Sequence, residues 1–143
     1  MPNTILVDTG YWYALGNVRD RHHRRAVDVG AKLRANPVTT WPVLTETCHL
    51  LQRSLGVDAT ARFLSSLERS GVEVFDLDYS HFRRLDELMH KYASLPMDLA
   101  DASLVILAEH LGHGRILSTD RRGFDVYRWK NHDPFENVLL PDG

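Results

Sequence analysis

The sequence predicts an α/β fold, a sandwich built on a central, mainly parallel sheet with helices on both faces. Three observations carry this prediction. Short apolar or β-branched runs of strand length alternate with helical patterns four or five times along the 143 residues. The helical pattern from Leu99 to Leu111 has only Asp101, Ser103, Glu109 and His110 as polar residues, so it must be covered on most sides. Two strand candidates deliver an acid at or just past their carboxyl ends, Asp8 and Asp120, and in an open parallel sheet that edge opens into the ligand crevice.

Length and composition set the frame. A chain of 143 residues is expected to form one domain, residues 1–143, and no repeat, low-complexity tract or linker divides it. With 43% hydrophobic and 25% charged residues and a formal net charge of −2, it has the composition of a water-soluble globular protein. That balance neither requires nor excludes nucleic acid, because a basic stripe can sit on a mildly acidic protein. A single cysteine, Cys48, excludes an intrachain disulfide framework and a multi-cysteine zinc site. The amino terminus lacks a charged leader and no run is long enough to span a bilayer, so the expected location is the cytoplasm.

Taken in order, Thr4 to Val7 reads as a buried strand ending at Asp8, and Tyr11 to Leu15 as an aromatic turn of helix packed over it. After a loop, Arg21 to Arg34 has helical spacing and opens with a dense basic run, Arg19 to Arg25, a solvated face or a phosphate contact. Val38 to Trp41 is a strand candidate leading to Pro42 at the start of a helix that Gly56 stops. On that helix Glu46 falls beside Val43 and Leu50, an otherwise apolar face, and is expected to point inward. Glu46-x-x-His49 matches the spacing of di-iron bundles, which need the motif twice, and one copy is present. Asp58 to Ser70, Val72 to Leu77 and Tyr79 to Tyr92 read as helix, strand and helix without distinctive chemistry. Ser94 to Pro96 breaks the chain before the apolar helix, and Arg115 to Ser118 supplies a further strand. The remainder, with Phe124, Tyr127, Trp129 and Phe135, reads as a closing strand and tail.

The acids need an explanation. Asp98 has one as the cap of the apolar helix, with Asp101 three residues on, whereas Asp101 and Asp120 are not accounted for by capping. If Asp8, Glu46, Asp101 and Asp120 converge without a lysine or arginine among them, they carry a charge of roughly −4 that divalent cations offset. All-oxygen ligands select hard ions, Mg²⁺ or Mn²⁺, and disfavour zinc.

In the order ILVDTGYW, TWPVLTETCHLL, MDLADASLVILAEHLG and RILSTDRRGFDVY, the chain resembles the PIN-domain ribonucleases and, in length and motif order, the VapC-type toxins of bacterial toxin–antitoxin pairs. The resemblance covers essentially the whole chain. It implies a PIN-like three-layer sandwich and a metal-dependent endoribonuclease whose catalytic and metal-holding quartet maps onto Asp8, Glu46, Asp101 and Asp120, with Thr9 and Thr119 as supporting hydroxyls. It also implies Mg²⁺ as cofactor, an RNA substrate, a homodimer and a small inhibitory antitoxin. Arginines at the rim, from the Arg19 to Arg25 run and from Arg121 or Arg122, are expected to hold flanking phosphates. An inactive RNA- or protein-binding α/β domain, its acids serving only as caps, is the competing expectation. A second rival, an aspartic protease, is suggested by Leu6 to Gly10 alone and opposed by the helical patterns elsewhere. A receiver-type phosphoacceptor lacks its acidic pair and its late lysine.

Overall fold

Burial on both faces dictates the architecture. The computed structural model describes residues 3–95 and 97–141, so Pro96, assigned from sequence to a chain break, lies outside the described residues. Strand β1 (Thr4–Val7) is buried along its whole length, as a strand inside a parallel sheet must be. It is flanked by β2 (Asn36–Thr40) and β4 (Arg115–Leu117), and the sheet extends to β3 (Glu73–Phe75) on one side and β7 (Glu136–Asn137) on the other. The order is β3-β2-β1-β4-β7 and every pairing is parallel.

The helices fill the crossovers. Helices α1 (Thr9–Gly16) and α2 (His23–Lys32) link β1 to β2, and α3 (Trp41–Leu55) and α4 (Val57–Ser70) link β2 to β3. A 3-10 turn, Tyr79–His81, then α5 (Phe82–Lys91) and α6 (Leu99–Leu111) return the chain to β4 on the far side of β1. Because the first crossovers step one way across the sheet and the last steps back, right-handed connections put the two sets of helices on opposite faces. The reversal falls between β1 and β4, the position where open α/β sheets hold their ligands. This fold excludes the aspartic protease suggested by Leu6 to Gly10, which needs an all-β body.

Helix α6 is the central apolar element. Ala102, Leu104, Val105, Leu107 and Ala108 have no exposed surface, and the helix meets α3, α5, β1 and β2. Its few polar groups are satisfied: the Ser103 hydroxyl pairs with Thr40 Oγ1 at 2.7 Å and reaches the Ala100 carbonyl at 2.7 Å. Thr40 also caps α3 by accepting from the Val43 amide. Trp12 Nε1 donates to Thr39 Oγ1, whose own hydroxyl donates to the Val7 carbonyl, so the buried polar atoms of β2 are tied to β1 and α1.

Several boundaries differ from those the sequence suggests. Helix α1 starts at Thr9, because the Asp8 carboxylate caps its first amide, and the Tyr79 region divides into a 3-10 turn and α5. The closing segment is more broken than one strand and tail. It forms α7 (Arg121–Phe124), a small antiparallel pair of β5 (Arg128–Trp129) with β6 (Asp133–Pro134), and β7. Lys130 and Asn131, both at positive φ, make the turn of that pair. No helix of the described residues is long and apolar enough to cross a membrane.

Candidate active site

The first acid follows directly from strand geometry. Asp8, at the end of β1, is 5% exposed; its Oδ1 accepts from the Thr9 amide at 2.7 Å and its Oδ2 from the Ser118 hydroxyl at 2.8 Å. Its own amide donates to the Leu117 carbonyl, which locks the ends of β1 and β4 side by side. Ser118 Oγ in turn accepts from the Asp120 amide at 2.9 Å. One hydroxyl thus bridges two of the acids across the switch point. Of the supporting hydroxyls expected, Thr9 and Thr119, the first stays beside Glu46 and the structure adds Ser118. Thr119 lies against the first turn of α1, where a Cβ at Gly10 would collide with its hydroxyl. Glycine at position 10 permits that close approach.

Asp101 comes from the first turn of α6. Asp98 accepts from the Asp101 amide at 2.8 Å and the Asp98 amide donates back to Asp101 Oδ2, a reciprocal capping box. The Tyr127 hydroxyl also donates to Asp101 Oδ2, at 3.3 Å. Asp120 accepts from the Gly123 amide at 3.0 Å and caps α7. Capping therefore involves Asp101 and Asp120 as well as Asp98, contrary to the expectation that it would explain Asp98 alone. Gly123 matters here, since a Cβ there would stand 2.7 Å from both Asp120 Oδ2 and the Tyr127 ring.

Burial and neighbouring charge both act on the acids. Burial pushes Asp8 up to about 7, against the lowering effect of its bonds from Ser118 and Thr9, and the charges of Asp120 and Glu46 push it further. Asp101 is pushed up to about 8, first by desolvation and then by the charges of Asp8 and Asp98, with Asp120 adding to them. The Tyr127 hydroxyl is held well above its ordinary value by burial and by the Asp101 and Asp120 charges, so it stays a donor. Among the described residues, no lysine or arginine pairs within 4 Å with Asp8, Glu46, Asp101 or Asp120.

Glu46 stands somewhat apart. It is half-buried on α3, facing a cleft of about 570 Å³ that it shares with Asp98, His49, Trp41 and Leu99. Burial raises its pKa, as does the Asp98 charge, while the Thr9 hydroxyl opposes the rise. That hydroxyl is near enough to favour the ionised glutamate yet makes no well-formed hydrogen bond, which leaves it a buried orphan. Asp101 and Asp120 line a second cleft, of about 260 Å³, together with Arg122 and Tyr127. The inward orientation expected of Glu46 is thus only partial, because α3 places it at a rim.

The quartet is brought into electrostatic contact but not into a closed cage. Among the described residues, no three His, Cys, Asp or Glu side chains stand close enough together to enclose a metal ion. Burial first, and then the neighbouring carboxylate charges, raise the pKa values of Asp8, Glu46 and Asp101. The donor chemistry nonetheless fits a hard divalent cation: oxygens only, no paired base, and the orphaned Thr9 hydroxyl between Asp8 and Glu46. The expected basic rim is only half realised. Arg122 lines the cleft beside Asp101 and Asp120, but Arg25 turns away to donate to the Leu139 carbonyl and Arg24 pairs with Asp28.

Two participants were not foreseen. Tyr127 acts across 26 residues of sequence and had no local signal. Ser118 did have one, since serine two residues before an aspartate is the pattern of a side-chain turn. Ser118→Ala is expected to raise the Asp8 pKa further by removing a donor to the charged form. If this site cleaves phosphodiesters, its pH–rate profile shifts to higher pH by roughly one unit and Ser118→Thr restores it; an unmoved profile would mean the Ser118 bond does not reach the chemistry.

Comparison with known proteins gives the family and the fold. The family model described as PIN domain matches residues 5–130. The protein named Ribonuclease VapC26, from Mycobacterium tuberculosis, is 26% identical over 125 residues, covering 87% of this chain and 92% of that protein. The crystal structure of VapC20 from the same organism, described as a sarcin-ricin loop cleaving toxin, has a TM-score of 0.77. Its identity is 24%, over 83% of this chain and 92% of the other.

Proposed function

Since the chain belongs to the PIN domain family, we propose that it is an endoribonuclease, the toxin of a toxin–antitoxin pair, which hydrolyses RNA phosphodiester bonds with Mg²⁺. The observation that carries this reading is the group of buried and half-buried, unneutralised carboxylates near the β1/β4 switch point, with burial and neighbouring charges raising Asp8 to about 7 and Asp101 to about 8. Mutually repelling acids are retained where a cation uses them. Asp8 and Asp101 would hold that cation directly, with Asp120 and Glu46 reaching it through water. When bound, it supplies charge neutralisation at the scissile phosphate and acidifies water.

The chain's own groups do the rest. Ser118 fixes the Asp8 carboxylate and Tyr127 the Asp101 carboxylate, so neither has to be oriented when substrate arrives. Arg122, at the mouth of the cleft, takes a flanking phosphate. Glu46, raised above the usual carboxylate range and only half-buried, is placed to accept the proton of the attacking water.

VapC20 and VapC26 are named for toxin and ribonuclease activity, and that is the support for an RNA substrate and a small restraining partner protein. A homodimer is supported by the apolar surface of Trp41, Tyr79, Phe82 and Leu99, which are 49–86% exposed. The rival reading, a binding domain whose acids only cap helices, draws on the capping bonds of Asp98, Asp101 and Asp120. One experiment separates the two. Purified protein freed of any co-purified partner is expected to cut a structured RNA in Mg²⁺ and to stop when chelator is added. Binding without cleavage in Mg²⁺ or Mn²⁺ would favour the rival.

A further inference from the structure

A cavity of about 550 Å³ lies at the end of the sheet remote from the acids, between α2 and the starts of β1 and β4. Asn3, just before β1, and Ile5 on it reach the cavity, as does Arg115 from β4, whereas Asp8 and Asp120 follow the opposite ends of those strands. Four cations line it, Arg25, Lys32, Arg34 and Arg115, against one acid, Asp28. Asp28 is engaged by Arg24 at 3.7 Å. Among the described residues, none of the four cations has a carboxylate within 4 Å. That is a marked local excess on a chain of net charge −2.

The cations are also positioned. Arg25 Nε donates to the Leu139 carbonyl at 2.9 Å and Arg115 Nη2 to the Thr4 carbonyl at 3.3 Å, which orders two guanidinium groups that line the cavity and keep further N–H donors. Between them the wall is aliphatic, with Val29 and Val138, and among the described residues no aromatic ring lines the cavity. Binding of single-stranded RNA relies on aromatic stacking platforms, which this cavity lacks.

We propose that this cavity is a docking site for an acidic peptide segment of a partner protein, one that seats an aliphatic side chain between carboxylates. Charge complementarity sets the acidic partner and the aliphatic wall sets the anchor. The proposal does not depend on the nuclease reading, because the two sites lie at opposite ends of the sheet.

Lys32 and Arg34 are exposed, so Lys32→Glu with Arg34→Glu inverts the rim and leaves the core untouched. The test is fluorescence anisotropy of a labelled hexapeptide of alternating glutamate and leucine. Wild type is expected to bind it in a salt-sensitive manner, and the double variant, melting as wild type does, to bind at least ten-fold more weakly. The same peptide with lysine in place of glutamate should not bind. Absence of binding to wild type, or undiminished binding to the variant, would overturn the proposal. So would displacement of the peptide by a six-nucleotide RNA as readily as by unlabelled peptide, which would mark the cavity as an RNA contact.

Discussion

Asp101→Asn is expected to reduce RNA cleavage by roughly 10³-fold while leaving the fold intact. The separation of effects follows from the bonds the residue makes. An asparagine oxygen can still accept from the Asp98 amide and from the Tyr127 hydroxyl, so the start of α6 and the α6–Tyr127 contact survive. What disappears is the negative charge that a cation requires, at a position held between Asp8, Asp98 and Asp120. Single-turnover cleavage in saturating Mg²⁺, with circular dichroism as the fold control, measures it. Cleavage within a few-fold of wild type would remove Asp101 from the site.

The second large effect is on stability. Asp8→Asn is expected to raise the melting temperature of the metal-free protein at pH 8 by about 5–10 °C, corresponding to roughly 2–4 kcal/mol. In the folded chain Asp8 titrates at about 7, above its ordinary 3.8. An acid whose pKa is raised by folding stabilises the native state fully below its unfolded pKa, and that contribution is lost as pH rises through the folded value. For Asp8 the window runs from about pH 4 to about pH 7; Asp101, at about 8, extends it upward. The gap between variant and wild type should therefore widen from pH 5 to pH 8, and Mg²⁺ should stabilise wild type more than the variant. Asparagine keeps an acceptor for the Thr9 amide and reverses the Ser118 contact, its amide donating to Ser118 Oγ, so one hydrogen bond at most opposes the effect. A variant that melts lower than wild type at pH 8 would show that the bonds from Ser118 and Thr9 outweigh the burial of the charge.

Most of the fold was legible because its signals are local. The apolar run from Leu99 to Leu111 emerged as α6 with the bounds read from the sequence, and the strand ending at Asp8 and the helix stopped by Gly56 stand where their patterns placed them. The closing segment was not legible, because β7 exists only through its parallel pairing to β4 and has no pattern of its own in two residues. That Asp8 and Asp120 follow the ends of neighbouring strands could be read from residue type and strand position. The finer geometry could not, since whether Asp101 and Asp120 also cap helices, or Glu46 sits at a rim, depends on helix starts that tertiary packing decides. The basic run shows the same limit: composition marks Arg25 as cationic, but only the return of the chain at Leu139 sets which way it points.

On the proposed function, Asp8 and Asp101 together hold the cation on which cleavage depends. Calorimetric titration of Mg²⁺ into the partner-free protein at pH 8 tests it most directly, with Asp8→Asn and Asp101→Asn titrated alongside. Saturable binding to wild type that each substitution weakens by at least ten-fold is the predicted result. Binding of equal strength to all three proteins, or none to wild type under conditions where it cleaves RNA, would contradict the claim.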